Sequence, residues 1–259
     1  MSAINGGYIG VDKRFARTGC HGIYKHILER RQKRFLGPRS TSSSPYSNYL
    51  SASLDGTDDY LEVGDIGSAG RSLGAISFWA KPDDQFESGN ASNMAYMIGW
   101  KWSGLNWDGF NYGEFVNTTR LFNLYINGHA SWWDAGSSDY KLSDAWHHIV
   151  LTHNGTGYTF YVDGQLASDI TGTINVGAQS IITGTDFDNL RIGRRAVTAS
   201  NFYPFKGKMD EMAIFDSALS AADISAIYNS GTPAGLSTYS PDIWWRMGDG
   251  TGDTDSGSG

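Results

Sequence analysis

The chain is predicted to be all-β: a two-sheet antiparallel β-sandwich of the jelly-roll kind, with one short surface helix and an extended N-terminal arm. Three observations predict it. From Tyr49 onward, apolar and polar residues alternate with a period of two rather than 3.6. Turn pairs punctuate that alternation at Asn127-Gly128, Asn154-Gly155 and Asp163-Gly164. The composition combines 33 glycines and 14% aromatic residues with only 18% charged ones, which suits short strands and tight turns and argues against coiled coil, collagen or general disorder. With 259 residues, the chain can bury a sizeable core without disulfide or metal staples.

In chain order, strands are predicted at Tyr60–Val63, Ala75–Lys81, Met94–Trp100, Leu121–Asn127, Trp146–His153, Tyr158–Val162, Leu190–Gly193, Lys208–Phe215 and Ile243–Met247. Asp163-Gly164 joins YTFYV to QLASDI as a hairpin turn whose two residues both reach positive φ. Turn signals about every dozen residues fit a sandwich. One helix follows Ser220, the candidate N-cap, with Asp223 at N3 and Leu219 and Ile224 placed as a hydrophobic staple. Ile224, Ile227 and Tyr228 share its apolar face, and Gly231 is placed to end it. Ile23, Ile27 and Leu28 have helical spacing within the arm.

Three zones follow: residues 1–47, a basic arm with a Ser-rich linker (STSSSPYS); residues 48–247, the β body; and residues 248–259, a Gly/Ser/Asp tail. Charge separates the first two sharply. Residues 1–39 hold nine basic side chains against two acids, and the remaining 220 residues hold 11 basic against 25 acidic. The single Cys20 forbids an internal disulfide. No apolar run approaches the roughly 18 residues of a membrane span, so no membrane insertion is expected. The opening MSAINGGYIGVDKRF has no apolar signal segment, which points to synthesis and folding in a cytosol.

Four segments carry a family resemblance, in the family's order: LDGTDDYLEV (54–63), AISFWAKP (75–82), AWHHIVLTHNGTGYTFYVDGQ (145–165) and FKGKMDEMAIFDSALSAADISAIY (205–228). Together they resemble the laminin-G-like branch of the concanavalin A-like lectin/glucanase superfamily, over roughly residues 50–230. The resemblance implies a two-sheet concanavalin A-like jelly roll. The closing DIWWRMGDGTGD is similar to segments found after or between such domains. The opening GGYIGVDKRFARTG…GIY is similar to N-terminal segments of marine bacteriophage virion proteins. That likeness implies a phage virion structural protein, in a capsid decoration or a tail, fibre or neck assembly, built in the host cytoplasm and displaying a lectin-like domain. The rival expectation is a free carbohydrate-binding module or lectin.

Glucanases of this fold place their acids as E-x-D-x-x-E on one strand, whereas the corresponding strand here reads MDEMAIFD (209–216). Regular alternation would send Asp210 and Glu211 to opposite faces and put Asp210 and Asp216 on one face, roughly 20 Å apart. Retaining glycosidases need about 5–5.5 Å, so no enzyme is expected. His147 and His153 fall on one strand face and His148 on the other, with no local metal set; the resemblance implies that Trp146-His147-His148 is a structural landmark. No G-x-S-x-G, P-loop, C-x-x-C pair or H-E-x-x-H occurs.

No cofactor is required. The resemblance motivates one Ca²⁺, on Asp55, Asp58 and Asp59 of the first segment and Asp210 of the fourth. Trp100, Trp102, Trp107, Trp132 and Trp133 are the candidate sugar-stacking residues, with core packing and a subunit interface as alternatives. Lys13, Arg14, Arg17, Lys25, Arg30, Arg31, Lys33 and Arg34 are the candidate anchor to an acidic surface, on other virion proteins or on another copy in a homo-oligomer. A solvated tail is the plain alternative. Nucleic acid is disfavoured because base-stacking aromatics are sparse in the arm. A host-surface glycan is the expected outward ligand.

Overall fold

The computed structural model describes residues 50–64, 66, 71–83, 94–102, 105–113, 120–126, 129–134, 145–170, 173–175, 180–183, 188–196 and 203–247. The basic arm, with its eight anchor candidates and the helical spacing of Ile23, Ile27 and Leu28, lies outside these residues, as does the tail. With strands numbered in chain order, the first sheet runs β1 (Ala52–Asp55), β15 (Lys206–Phe215), β4 (Ala75–Pro82), β9 (His147–His153), β10 (Tyr158–Val162) and β11 (Gln165–Leu166). β16 (Ile243–Trp245) also pairs with β15. The second sheet runs β12 (Thr173–Asn175), β8 (His129–Asp134), β7 (Arg120–Ile126), β6 (Leu105–Gly113), β5 (Met94–Trp102), β14 (Asp188–Ile192) and β2 (Leu61–Gly64). A small ribbon pairs β3 (Ser72–Leu73) with β13 (Ile182–Thr183).

The alternation in the sequence explains the layer between the sheets. Ile76 and Phe78 of β4, Ile149 and Leu151 of β9, and Phe160 and Val162 of β10 meet Met97 and Ile98 of β5 and Leu190 and Ile192 of β14 in one buried cluster. Each such side chain contributes about 1.5–3 kcal/mol relative to exposure. Tyr158 is buried in the same layer, and its hydroxyl donates to the Leu73 carbonyl while accepting the Ile182 N–H at 3.0 Å. One phenol thus ties the small ribbon to the core. Trp245 packs against this cluster and Met247 is buried in it, so the segment after the helix is part of the sandwich.

β1, β3, β6, β8, β12 and β13 were not anticipated from the sequence. Gly109 of β6 sits inside the strand opposite Gly99. A Cβ there would come within 2.4 Å of the Ile98 carbonyl oxygen, so this glycine serves close strand approach rather than a turn. Asp163 (φ 51) and Gly164 (φ 77) do form the tight turn into β11. Only two residues of QLASDI continue as strand before a short helix, α1 (Ala167–Ile170).

The predicted surface helix is α2 (Ala221–Tyr228). The Ser220 hydroxyl accepts the Asp223 N–H at 3.2 Å, and the Asp223 carboxylate accepts the Ser220 N–H at 3.3 Å, completing a reciprocal capping box. The helix ends at Asn229, in the left-handed region (φ 47, ψ 47), two residues before Gly231. Asparagine tolerates that conformation, so the expected glycine stop is not needed there.

β15 departs most from regular alternation. Its register with β4 shifts between Asp210 and Ala213, and Glu211 has φ 47. β1 pairs with Lys206–Met209 and β16 with Met212–Ile214, so the bulge falls where the strand changes neighbours. Met209 and Met212 both enter the inner core with two residues between them. Asp210 stands opposite Trp79 of β4, and Glu211 reaches Trp244 of β16 and Arg246 just after it. Both carboxylates therefore leave the inner face, contrary to the expected opposite orientations. The extra residue also removes the shared parity expected for Asp210 and Asp216.

Candidate functional site

The outer face of the second sheet gathers arginine and tyrosine from four separated segments. On β14, Leu190 and Ile192 enter the core, which turns Arg191 outward. Its register partner on β2 is Glu62, and the Arg191 Nη2 group donates to Glu62 Oε1 at 3.2 Å. Just beyond, Gly193 (φ 92) bends the chain; a Cβ there would meet Leu54 Cδ1 at 2.7 Å. The following residues cross β5 at Gly99, where a Cβ would lie 2.7 Å from the Arg194 carbonyl oxygen and 2.8 Å from the Ala196 nitrogen. The segment is therefore seated on a strand position that has no side chain.

This seat aims two further guanidinium groups over rings. Arg194 lies 3.4 Å from the Tyr60 ring centroid, with Arg191 at 5.6 Å from the same ring. Arg195 lies 5.8 Å from Tyr96 and 5.7 Å from Tyr203, whose rings are 6.2 Å apart. Tyr203 has φ 46, a strained value for an aromatic residue. Hydrogen bonds hold it there: Tyr96 N–H to the Tyr203 carbonyl (2.9 Å), Phe205 N–H to the Gly193 carbonyl (2.8 Å) and Gly193 N–H to the Met97 carbonyl (2.8 Å). Tyr60, Tyr203, Arg194 and Arg195 are half-buried. Burial pulls the Arg194 guanidinium below the ordinary arginine range, with Arg191 acting in the same direction and Tyr60 and Glu62 opposing.

Beside this face lies the acidic turn. Asp55, Asp58 and Asp59 bring carboxylate oxygens within 4.8 Å of one another. Asp55 Oδ1 accepts the Thr57 and Asp58 amides (2.8 and 3.4 Å), and Asp59 Oδ2 accepts the Asp55 amide (3.1 Å). Hard oxygen donors of this kind fit Ca²⁺, which takes 6–8 of them, so backbone carbonyls or water would have to complete the set. Asp210 does not join it. Asp55 pairs with Lys206, and Asp210 lies four residues further along β15, about 13 Å by strand rise.

The outer face of the first sheet is closed. His148 is fully buried there, with its Nε2 2.8 Å from Ser77 Oγ and its ring beside those of Trp79 (5.3 Å) and Tyr228 of α2 (6.3 Å), which are themselves 5.9 Å apart. Burial pushes its pKa down to about 3, against the opposing charge of Asp163. Asp163 Oδ1 accepts the His148 N–H at 2.9 Å and Oδ2 pairs with His147 Nδ1 at 2.7 Å, so the turn residue braces the start of β9. His153 Nδ1 accepts the Gly155 amide in the next turn at 3.2 Å. The histidines thus act as structural landmarks. Nearby, Glu211 is 2% exposed and accepts the Trp244 indole N–H at 2.6 Å.

Of the sugar-stacking candidates, Trp100 is fully buried in the inner core and cannot meet a ligand. The backbones of Trp102, Trp107, Trp132 and Trp133 belong to β5, β6 and β8 of the second sheet; their side chains lie outside the described residues. Trp146 is the one large apolar side chain exposed among the described residues, at 38%. Sequence reasoning missed Tyr60, Tyr203 and the arginines. A signal was present: three of the body's eleven basic residues, Arg191, Arg194 and Arg195, fall within five positions.

The family described as the concanavalin A-like lectin/glucanases superfamily, in its laminin-G-like form, matches residues 55–225. Among solved structures, a Bacteroides ovatus protein proposed to bind carbohydrate is similar at 14% identity and TM-score 0.51, covering 77% of this chain and 51% of that one. This chain thus spans about half the length of that protein. The heptameric SAP-like pentraxin of Limulus polyphemus is similar at 17% identity and TM-score 0.46, covering 68% of this chain and 80% of that one. Domain 4 of the arabinanase AbnA of Geobacillus stearothermophilus, solved with arabinotriose, is similar at 16% identity and TM-score 0.41, covering 71% and 84%. No curated protein matches the chain.

Proposed function

This chain belongs to the concanavalin A-like lectin/glucanases superfamily, and from that premise we propose that it is a non-enzymatic, lectin-like carbohydrate-binding protein. The observation that carries the reading is the outer face of the second sheet. There the half-exposed rings of Tyr60 and Tyr203 stand beside fixed polar groups, the pairing that a pyranose ring and its hydroxyls require. The likeness to the Bacteroides protein proposed to bind carbohydrate supports it. The non-enzymatic part is supported by the acids of β15: Asp210 and Glu211 are 4% and 2% exposed, and Glu211 is engaged by Trp244 and Arg246. A glycan array probed with the full chain tests both parts. Saturable binding without release of reducing sugar is expected; binding to no glycan, or hydrolysis of a bound one, would overturn the proposal.

The acidic turn is proposed to hold one Ca²⁺ on Asp55, Asp58 and Asp59, with no other cofactor required. Ligand bound only to the native state stabilises it by mass action. Added Ca²⁺ is therefore expected to raise Tm in the wild type and to leave that of Asp58→Asn unchanged. An equal rise in both would remove Asp58 from the site.

The uneven charge favours a finer setting. Nine basic residues in the first 39, against 25 acids in the rest, suit an arm that docks on an acidic neighbour. In this reading the chain is a phage virion component, in a capsid decoration or a tail, fibre or neck assembly. It is made in the host cytoplasm and anchored to other virion proteins or to copies of itself, with the lectin-like body turned to a host-surface glycan. Deleting residues 1–39 should abolish incorporation into particles; unimpaired incorporation would exclude the anchor.

A further inference from the structure

We infer that the Tyr60–Arg194–Arg195–Tyr203 face takes an anionic saccharide, with its acid group on the guanidinium groups and a sugar ring on tyrosine. This rests on the carbohydrate-binding reading and narrows its ligand to acidic sugars. The body has 22 acids and 11 basic residues, yet three arginines converge on this face. Arg191 is tied to Glu62 in register, which leaves its role largely structural. Arg194 and Arg195 instead lie over tyrosine rings. A guanidinium set against a ring offers its face to the ring, while recognition of carboxylate or sulfate uses its in-plane N–H edge. The two uses are compatible in one side chain.

Preorganisation supports the same assignment. The arginine segment is seated on Gly99 and the strained Tyr203 is fixed by backbone hydrogen bonds, so little ordering cost remains for a ligand. Tyrosine and arginine edges supply mostly donors, which suits an acceptor-rich acid sugar better than a neutral one. The excess of acids over the rest of the body disfavours a densely charged polyanion and favours a glycan with isolated acid groups.

The test pairs acidic oligosaccharides with neutral counterparts on one array, probed with the full chain. Uronates are matched with their methyl esters, sialylated glycans with asialo forms, and sulfated glycans with desulfated ones. At least one acidic member is expected to bind about tenfold or more tightly than its neutral partner, and the carboxylate and sulfate arms identify the acid group. Arg194→Gln with Arg195→Gln should reduce that binding by about tenfold or more, with a retained cooperative melting transition as the folding control. Arg195→Gln alone serves if the double variant unfolds. Equal binding by acidic and neutral partners, or by variant and wild type, overturns the inference while leaving the lectin reading intact. A variant that alters only self-association overturns it too, by giving the face to a second copy. Binding to no glycan at all removes the lectin reading and this inference together.

Discussion

On the outer face of the first sheet, Trp79 and His148 lie beneath Tyr228, and Glu211 is enclosed by Trp244 and Arg246. On the outer face of the second, Tyr60 and Tyr203 lie beside Arg194 and Arg195 and remain half exposed. Both faces mix aromatic rings with ionisable groups. The first has been sealed by α2 and by the strand that follows it, so its ionisable groups brace the fold. The second keeps its groups within reach of solvent. Chemistry alone does not distinguish a site from a scaffold; cover does.

The comparison breaks if the closed face proves dispensable. Glu211→Ala would leave Arg246 and the Trp244 N–H without their buried carboxylate, and should cost about 3–5 kcal/mol by denaturant unfolding. A cost near zero would mean that the enclosure is not structural. Acid is the next largest perturbation. The His148 ring binds a proton near pH 6.5 in the unfolded chain but only at about 3 in the fold. Between those values the unfolded state holds more protons, so stability falls as the pH drops, by a few kcal/mol in all. Asp242 works against this. Burial and the adjacent Asp216 push its pKa up from the ordinary 3.8 to about 6, so between those values the folded state holds the extra proton. That contribution is lost as pH rises through 6. Melting curves from pH 7 to 3 should therefore be flatter for His148→Gln than for the wild type and steeper for Asp242→Asn.

Smaller effects sharpen the contrast. Ser220→Ala removes half of the capping box of α2 and should cost about 1 kcal/mol. Tyr60→Ala on the open face should cost only about 0.5–1 kcal/mol, the scale of its arginine contact, while glycan binding falls. If Tyr60→Ala destabilises as much as Glu211→Ala, the open face is scaffold as well.

What could be read in the sequence was local. Ser220 and Asp223 are three residues apart and cap each other, and Asp163-Gly164 needs nothing distant to turn, so both were legible. Period-two alternation located most strands for the same reason. Glu211 was misread because a bulge is set by neighbours: β1 and β16 meet end to end along β15, and alternation must break between them. For Trp100 the core-packing alternative holds, and which tryptophan of the group would be buried depended on how its strand is covered on the inner side. The open face escaped notice because residues 60, 96, 191–195 and 203 meet only after the sheet has formed. Even the doublet Arg194-Arg195 says nothing of the rings beneath it.

Gly99 acts as a spacer for that face. Because it lacks a side chain, the backbone carrying Arg194 and Arg195 rests directly on β5, with the Arg195 Cα 2.9 Å from where a Cβ would be. One added methyl group would lift this backbone as a unit, moving both guanidinium groups away from their rings while leaving their chemistry untouched. The distance between charge and ring is therefore set at a position that carries neither.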